Sequence, residues 1–319
     1  MKDFHKYFII FQILFFSVSC IRFKVENYKP ELIAKLKIGE GAQTIEGISV
    51  NNVLTNIPTI IPVHSRRIFV ADFKNSMIKV FDFSGQLDYA LGTANQKSSA
   101  KTKILPVRFG VIGLIAPSEK DEIYVQNRIS SKDQLPKKGQ KDTPYTKFSG
   151  SFEVEEDGNT PSYIFKLNNK GTVEQMIGVS GINSEPFRYI EKIYPFDDGN
   201  LFVYYKIAEE MRLSRYINGE LNSTLKESQL SAFSDEDAKK YKLKLESMIP
   251  HGEDGYALVS IAYFTKPDFR FKFRRIFKVY LKSEKPDSMI TEIQDPSEVL
   301  FSLKENGDFF IWETENGGN

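Results

Sequence analysis

The chain is poor in the residues that carry the commonest binding and catalytic chemistry. Its 319 residues include one cysteine, one tryptophan and three histidines. A single cysteine excludes an internal disulfide and any zinc site built from several thiolates. The 43 basic and 42 acidic residues leave a formal net charge of +1, so no global field would hold nucleic acid. The composition therefore argues against disulfide-stapled modules and general nucleic-acid binders.

Several local motifs are also missing. The sequence has no Walker A loop, no H-E-x-x-H and no C-x-x-C. The segment GVSG at 178–181 lacks the spacing of a G-x-S-x-G nucleophile elbow. These absences favour a protein that binds over one that catalyses, and they predict no cofactor.

The N-terminus has the pattern of an export signal. Lys2 and Lys6 precede an apolar run over 7–18 that only Gln12 and Ser17 interrupt. Twelve helical residues span about 18 Å, which is too short for a hydrocarbon core of about 30 Å. A basic start, a short apolar run and small residues after it predict a signal peptide over residues 1–19.

The small residues lead into the lone cysteine, as Ser17-Val18-Ser19-Cys20. This segment resembles the lipobox of bacterial lipoproteins, although most lipoboxes carry Leu where Ser17 stands; spirochaetal lipoproteins are looser there. The resemblance implies that Cys20 is acylated, becomes the mature N-terminus and anchors the protein in a membrane. The alternative is an ordinary cleaved signal followed by a free thiol. Ile21 replaces the Asp that retains enteric lipoproteins in the inner membrane, so the outer membrane is favoured; the side that the protein faces stays open.

The remainder of the chain contains a repeated unit. Each copy has an apolar strand, a tight polar turn and a second apolar strand, as in IIPVHSRRIFVADF (60–73) and IYPFDDGNLFVYYK (193–206). Asp-Gly, Asn-Gly and Gly-Asn turns suit hairpins because they tolerate positive φ. The second strands are predicted to begin at Ile68, Ile123, Leu201, Tyr256 and Phe309.

A third strand follows the first four of these hairpins, over 77–85, 163–171, 212–220 and 274–282, and a fourth strand comes next. Four antiparallel strands repeated at intervals of 50-odd residues predict an all-β fold, a β-propeller that forms a single domain over 20–319. The first copy, RRIFVADFKNSMIKVFDFSGQLDYALG, resembles the NHL-type repeat. That resemblance implies a propeller but no particular activity.

Insertions and closure complete the predicted architecture. We expect insertions at about 130–160 and 226–247, the second of them containing a helix from Ser234 to about Ser247 because an N-cap serine and acidic first turn precede basic residues. The fifth unit has two strands, and residues 22–39 read like strands three and four. The two ends of the chain are therefore predicted to share a closing blade, with five blades countable and six possible.

The segment DFRFKFRRIFKVYLK (268–282) alternates aromatic and basic residues and occupies a third-strand position. Phe269, Phe271 and Phe273 are predicted to share one face, with Arg270, Lys272 and Arg274 on the other. Arg275 breaks the alternation, which predicts a bulge. The main role predicted for this segment is that of a strand in its blade. Its three basic residues are in addition candidates for contact with anionic lipid headgroups.

Two histidines, His64 and His251, fall in equivalent turns after Pro62 and Pro250. They are weak candidates for a shared metal site, since a turn position alone also explains them.

The sequence leads to three hypotheses for the function of the protein. The first is a non-catalytic, lipid-anchored scaffold for an unidentified protein or polymeric ligand; the second is a propeller hydrolase or lyase with a metal in its channel; the third is a periplasmic assembly factor for the outer membrane.

Overall fold

A computed structural model describes residues 36, 48–50, 53–56, 60–63, 66–72, 76–92, 103–118, 120, 122–128, 162–178, 187–196, 199–233, 236–252, 255–282, 287–303 and 309–313. The signal peptide, Cys20, residues 22–39 apart from Leu36, His64 and the insertion expected at 130–160 lie outside these residues. Among the described residues, no helix is long and apolar enough to cross a membrane.

The described chain is built from antiparallel β-sheets, which confirms the predicted all-β fold. The first blade holds four antiparallel strands and a fifth that pairs in parallel with β6: β3 (Ile60–Val63), β4 (Arg67–Asp72), β5 (Met77–Asp82), β6 (Leu87–Gly92) and β7 (Ile104–Pro106). The second blade holds β8 (Val111–Pro117), β9 (Ile123–Arg128), β10 (Ser162–Leu167) and β11 (Val173–Ile177).

The third and fourth blades have the same order, each strand pairing with the next. The third holds β12 (Tyr189–Pro195), β13 (Asn200–Ile207), β14 (Glu210–Ile217) and β15 (Glu220–Lys226). The fourth holds β16 (Tyr241–His251), β17 (Tyr256–Thr265), β18 (Phe271–Tyr280) and β19 (Ser288–Ile293). Two hairpins complete the described strands: β1 (Ile48–Val50) with β2 (Val53–Asn56), and β20 (Glu298–Leu303) with β21 (Phe309–Glu313). The repeat of four-stranded units predicted from the sequence is confirmed.

Burial follows strand position within each blade. The second strands of all four blades consist mostly of buried residues, on both faces of the sheet. First strands such as β8 and β12 and fourth strands such as β15 and β19 are mostly exposed or half-buried, with only one or two buried residues each. A strand that is buried on both faces needs a neighbouring layer on each side, which stacked blades supply. First strands of successive blades contact one another, β3 with β8 and β8 with β12, as strands around a common axis do.

Two turns show the repeat at atomic detail. The turn from β5 to β6 is held by Asp82, whose Oδ1 accepts the backbone N–H of Gln86 at 2.9 Å. The turn from β10 to β11 is held in the same way by Asn168, whose Oδ1 accepts the N–H of Thr172 at 3.0 Å. Both turns contain a glycine at positive φ, 82° at Gly85 and 77° at Gly171, where a side chain would strain the backbone.

The helix expected from Ser234 to about Ser247 is much shorter than predicted. Two 3₁₀ turns, Glu227–Gln229 and Ser231–Phe233, lead to helix α1 (Glu236–Lys240), and strand β16 begins at once with Tyr241. The reason lies in the sequence YKLKL, where apolar and basic residues alternate with the period of a strand. The acidic first turn and basic last turn suit only the five residues that form the helix.

Candidate functional site: the basic–aromatic tip of the fourth blade

Strands β16, β17 and β18 are 11, 10 and 10 residues long, which makes them the longest strands of the described chain. One end of this three-stranded segment packs on the C-terminal hairpin, and the opposite end extends beyond that contact. There Lys242 pairs with Phe264, and Phe264 pairs with Phe271. This end carries the turn 265–270 between β17 and β18, and it is the best candidate for a binding surface in the described part of the molecule.

Thr265 organises this turn. Its backbone N–H donates to the Arg270 carbonyl at 2.9 Å, and its carbonyl accepts the N–H of Phe269 at 3.0 Å. Its hydroxyl also donates to Asp268 Oδ1 at 2.5 Å. These bonds hold Phe269 at a φ of 53°, a conformation uncommon for bulky residues, and its side chain is 57% exposed. The turn therefore presents a phenyl ring to solvent from a fixed backbone.

Several basic residues lie at this end of the strands, and one of them contacts that ring. The Nζ of Lys242 lies 4.6 Å from the centre of the Phe269 ring, within cation–π range. Lys244 and Lys272 are exposed, and no carboxylate of the described residues forms an ion pair with them. Arg270 pairs with Asp268, with Nε 3.0 Å from Oδ2, and both side chains are largely in solvent. We call this surface the basic–aromatic tip, and it comprises Lys242, Lys244, Phe264, Lys266, Asp268, Phe269, Arg270, Phe271 and Lys272.

The underside of the tip is packed and apolar. The rings of Tyr241, Tyr263 and Phe273 contact one another, with centroids 4.7 Å apart for Tyr263 and Phe273 and 5.3 Å apart for Tyr241 and Phe273. The guanidinium of Arg275 lies 4.6 Å from the centre of the Phe273 ring. Helix α1 is tied to this layer because its Asp237 accepts a hydrogen bond from Arg275. The tip is therefore supported from below.

Arg275 is held in its charged form. Its Nε donates to Glu292 Oε2 at 2.9 Å, in addition to the bond to Asp237. Burial, the largest single influence, lowers the pKa of Arg275, but the hydrogen bonds to Asp237 and Glu292 and the interaction with Tyr263 together raise it above its usual value. Arg275 therefore belongs to the support of the tip, while its charge is neutralised by two carboxylates.

Arg274 does not belong to the exposed surface predicted for it. It is 3% exposed, its Nη2 donates to Glu246 Oε1 at 3.0 Å, and its Nη1 donates to the carbonyl of Glu298 in β20. A buried, paired guanidinium cannot rest on a headgroup, so this placement was wrong. The register shift in β17–β18 lies between Tyr263 and Phe264, which leaves Lys272 as the extra residue and moves the bulge away from Arg275.

The predicted face of three phenylalanines also divides. Phe273 is buried on the packed underside, Phe271 lies in the tip at an intermediate exposure, and Phe269 projects from the turn. Sequence reasoning missed Lys242 and Lys244 because it placed them in a helix. The alternation of YKLKL was the signal that could have found them.

Of the two candidate histidines, only His251 lies within the described residues. His251 is 6% exposed at the end of β16, and its ring stacks on Tyr256 with centroids 4.7 Å apart and planes 6° apart. His64 lies outside the described residues, so the predicted pairing of the two stays a prediction. Within the described chain, no group of three or more His, Cys, Asp or Glu side chains is arranged to hold a metal ion.

Comparison with known proteins does not identify a family for this chain. No protein-family model matches the chain, and no curated protein does. Among solved structures, a polysaccharide lyase is similar with a TM-score of 0.39 at 12% identity, covering 84% of this chain and 68% of the lyase. An endo-arabinase from Bacteroides thetaiotaomicron has a TM-score of 0.36 at 13% identity, covering 82% and 89%. A streptogramin B lyase has a TM-score of 0.29 at 13% identity, covering 80% and 90%. The assignment of the blades rests on the strand order and register of this chain.

Proposed function

We propose that the protein is a lipid-anchored envelope lipoprotein whose β-propeller is a non-catalytic binding scaffold. The observation that carries the proposal is Cys20, the only cysteine of the chain, placed directly after a basic start and a short apolar run. An acylated cysteine would tether the propeller to a membrane, since each buried CH₂ of an acyl chain contributes about 0.8 kcal/mol.

The scaffold part of the proposal is supported by the way the blades are built. Neighbouring blades are linked through side chains as well as through apolar packing. Gln175 of β11 donates to the carbonyl of Asn218 at 3.1 Å, and Tyr194 of β12 donates to the carbonyl of Met248 at 3.4 Å. A rigid body of this kind can present a fixed surface, and the basic–aromatic tip is the surface that we assign to binding.

Replacing Cys20 by alanine is expected to abolish acylation. Growth with labelled palmitate should label the wild-type protein and leave the variant unlabelled, because the thioether that receives the lipid cannot form. Mass spectrometry of the wild-type protein should find Cys20 as the first residue, carrying the added mass of acyl chains. Membrane fractionation completes the measurement, with wild type expected in the outer membrane.

Ser19→Ala is the matched control for this experiment. It changes the neighbouring small residue and leaves the cysteine in place, so labelling should be kept. Wild-type protein without label, or with an N-terminus other than Cys20, would contradict the proposal and favour an ordinary cleaved signal. Protease treatment of intact cells then tells whether the propeller faces the exterior or the periplasm, and so where its partner is found.

A further inference from the structure

We infer that the basic–aromatic tip is a second membrane contact, which docks on an anionic bilayer surface and inserts the ring of Phe269 among the headgroups. The inference rests on the proposed envelope location and names the partner of the surface assigned there. It does not require that Cys20 be acylated, since the contact is made by side chains.

The position of Phe269 distinguishes it from other exposed apolar residues. The described chain has seven large hydrophobic residues with high exposure, and six of them lie in strands: Val111, Tyr189, Leu221, Met289, Ile290 and Ile311. Phe269 alone among these lies in a turn, the one that joins the long strands β17 and β18. An exposed apolar ring in a turn beyond the strand ends can enter a bilayer interface without disturbing the strands behind it.

The backbone at Phe269 points to a function for the ring. A φ of 53° suits glycine or asparagine, and a bulky residue there has a conformational cost. The ring is exposed, so packing against the core does not offset that cost. An unfavourable conformation that the surrounding turn enforces is a reason to look for a role outside the fold.

The charges of the tip complement an anionic surface. Lys242 lies against the ring, Lys244, Arg270 and Lys272 are exposed in the same strand ends and turn, and Asp268 is the acid of the turn. Lys266 adds a further positive charge and is held by the helix end, with Nζ 3.3 Å from the Ala238 carbonyl. Basic residues near an anionic bilayer are attracted to it, and apolar side chains between them anchor in the interface. A soluble polyanion would be attracted by the same charges but would gain little from an exposed phenyl ring, so the bilayer is the better match.

The test places a tryptophan at the tip. The chain has a single tryptophan, Trp312, so the variant Phe269→Trp with Trp312→Phe reports from the tip alone. The full protein is reconstituted on vesicles of neutral lipid and on vesicles containing anionic lipid. In anionic vesicles the emission is expected to shift to shorter wavelength and to be quenched by brominated acyl chains. In neutral vesicles both changes should be absent, even where the N-terminus holds the protein on the surface.

Charge removal gives the quantitative part. Lys242→Gln in the same background should lower the ratio of docked to undocked tip about fivefold, as expected for one basic residue near an anionic surface. Lys170→Gln is the matched control, because Lys170 is an exposed lysine in a turn of the second blade, and the ratio should not change. Adding salt to about 1 M should undock the tip, since the screening length falls to about 3 Å.

Three further variants keep the test decisive if the double variant folds poorly. Phe269→Trp in the otherwise natural chain gives the same signal as a difference from wild type. Leu221→Trp with Trp312→Phe reports from an exposed residue of β15 in another blade, and its emission should be unaffected by anionic lipid. Phe269→Asn removes the ring at a position that suits asparagine, so the fold should be kept while docking is lost.

Several outcomes would overturn the inference. One is an emission at residue 269 that is the same in anionic and neutral vesicles. Another is a shift with a soluble polyanion as large as that with vesicles, which would make the tip a site for a polymer. A docked tip on a protein that carries no acyl chain would leave the inference standing and contradict the proposed lipoprotein instead.

Discussion

Lys79→Met is expected to lower the free energy of unfolding by about 3–5 kcal/mol, because it leaves a buried carboxylate without its cation. Lys79 Nζ lies 2.7 Å from Asp72 Oδ2, and the two side chains are 3% and 0% exposed. They lie on neighbouring strands of the first blade, where β4 pairs with β5. The Asp72 carboxylate is shielded from water, so solvation cannot replace the favourable interaction that it loses with Lys79.

Urea denaturation measures this change, with the slope of the transition checked for constancy. Lys239→Met is the matched control, since Lys239 forms an ion pair with Glu236 in which the side chains are 71% and 76% exposed. An exposed pair of this kind contributes at most about 1 kcal/mol. The double variant Lys79→Met with Asp72→Leu should recover much of the stability, because it removes both charges. Equal losses for Lys79→Met and Lys239→Met would contradict the burial argument.

The strands that carry Asp72 and Lys79 could be predicted from the sequence, but the ion pair between them could not. Ala71-Asp72 and Ile78-Lys79 belong to the segment that resembles an NHL-type repeat. The strand pattern was visible because second strands are runs of apolar residues bounded by turn residues, and all five starts were predicted within one residue. The ion pair itself was not visible, because a charged residue within an apolar strand is ordinarily expected at the surface.

Elements that depend on distant parts of the chain were predicted less well. The parallel strand β7 has only three residues, Ile104–Pro106, and pairs with β6, which ends at Gly92. A strand this short has no alternating pattern from which it could be predicted. The start of β16 was assigned to a helix because the acidic first turn and following lysines suit one. From Tyr241 onwards apolar and basic residues alternate as in a strand, and the structure follows this alternation and not the helix signals.

The residues of the candidate site were also predicted only in part. Arg270 and Lys272 were identified from the alternation of aromatic and basic residues, and both are exposed on the tip. Arg274 was grouped with them by alternation, but the bulge at Lys272 shifts the register and turns it inward toward Glu246. A bulge of one residue reverses the faces of a strand, and nothing in the alternating sequence marks where it falls.

Arg274→Met is expected to lower the free energy of unfolding by about 3–5 kcal/mol, since it breaks a largely buried ion pair and leaves the partly buried Glu246 carboxylate without its cation. The guanidinium is 3% exposed and joins three strands: β18, which carries it, β16 through Glu246, and β20 through the carbonyl of Glu298. Arg274→Lys should recover little of the loss, because an ammonium cannot make the paired bonds of a guanidinium.

A double-mutant cycle with Glu246→Gln separates the ion pair from the bond to β20. Glu246 also accepts a hydrogen bond from Ser260 Oγ at 3.1 Å, which the amide oxygen of the substituted side chain could retain in part. If the pair dominates, the double variant should be more stable than the sum of the two single losses predicts, with a coupling of at least about 1 kcal/mol.

Hydrogen exchange shows where the stability is lost. Arg274→Met should speed exchange in β20 as well as in β16 and β18, because the guanidinium donates a hydrogen bond that joins the C-terminal hairpin to the fourth blade. Glu246→Gln should leave β20 protected, since it spares the bond to the Glu298 carbonyl. Loss of protection confined to the fourth blade in Arg274→Met would mean that apolar packing, through Leu300 and its neighbours Ile249 and Ile293, holds the hairpin without help from the arginine.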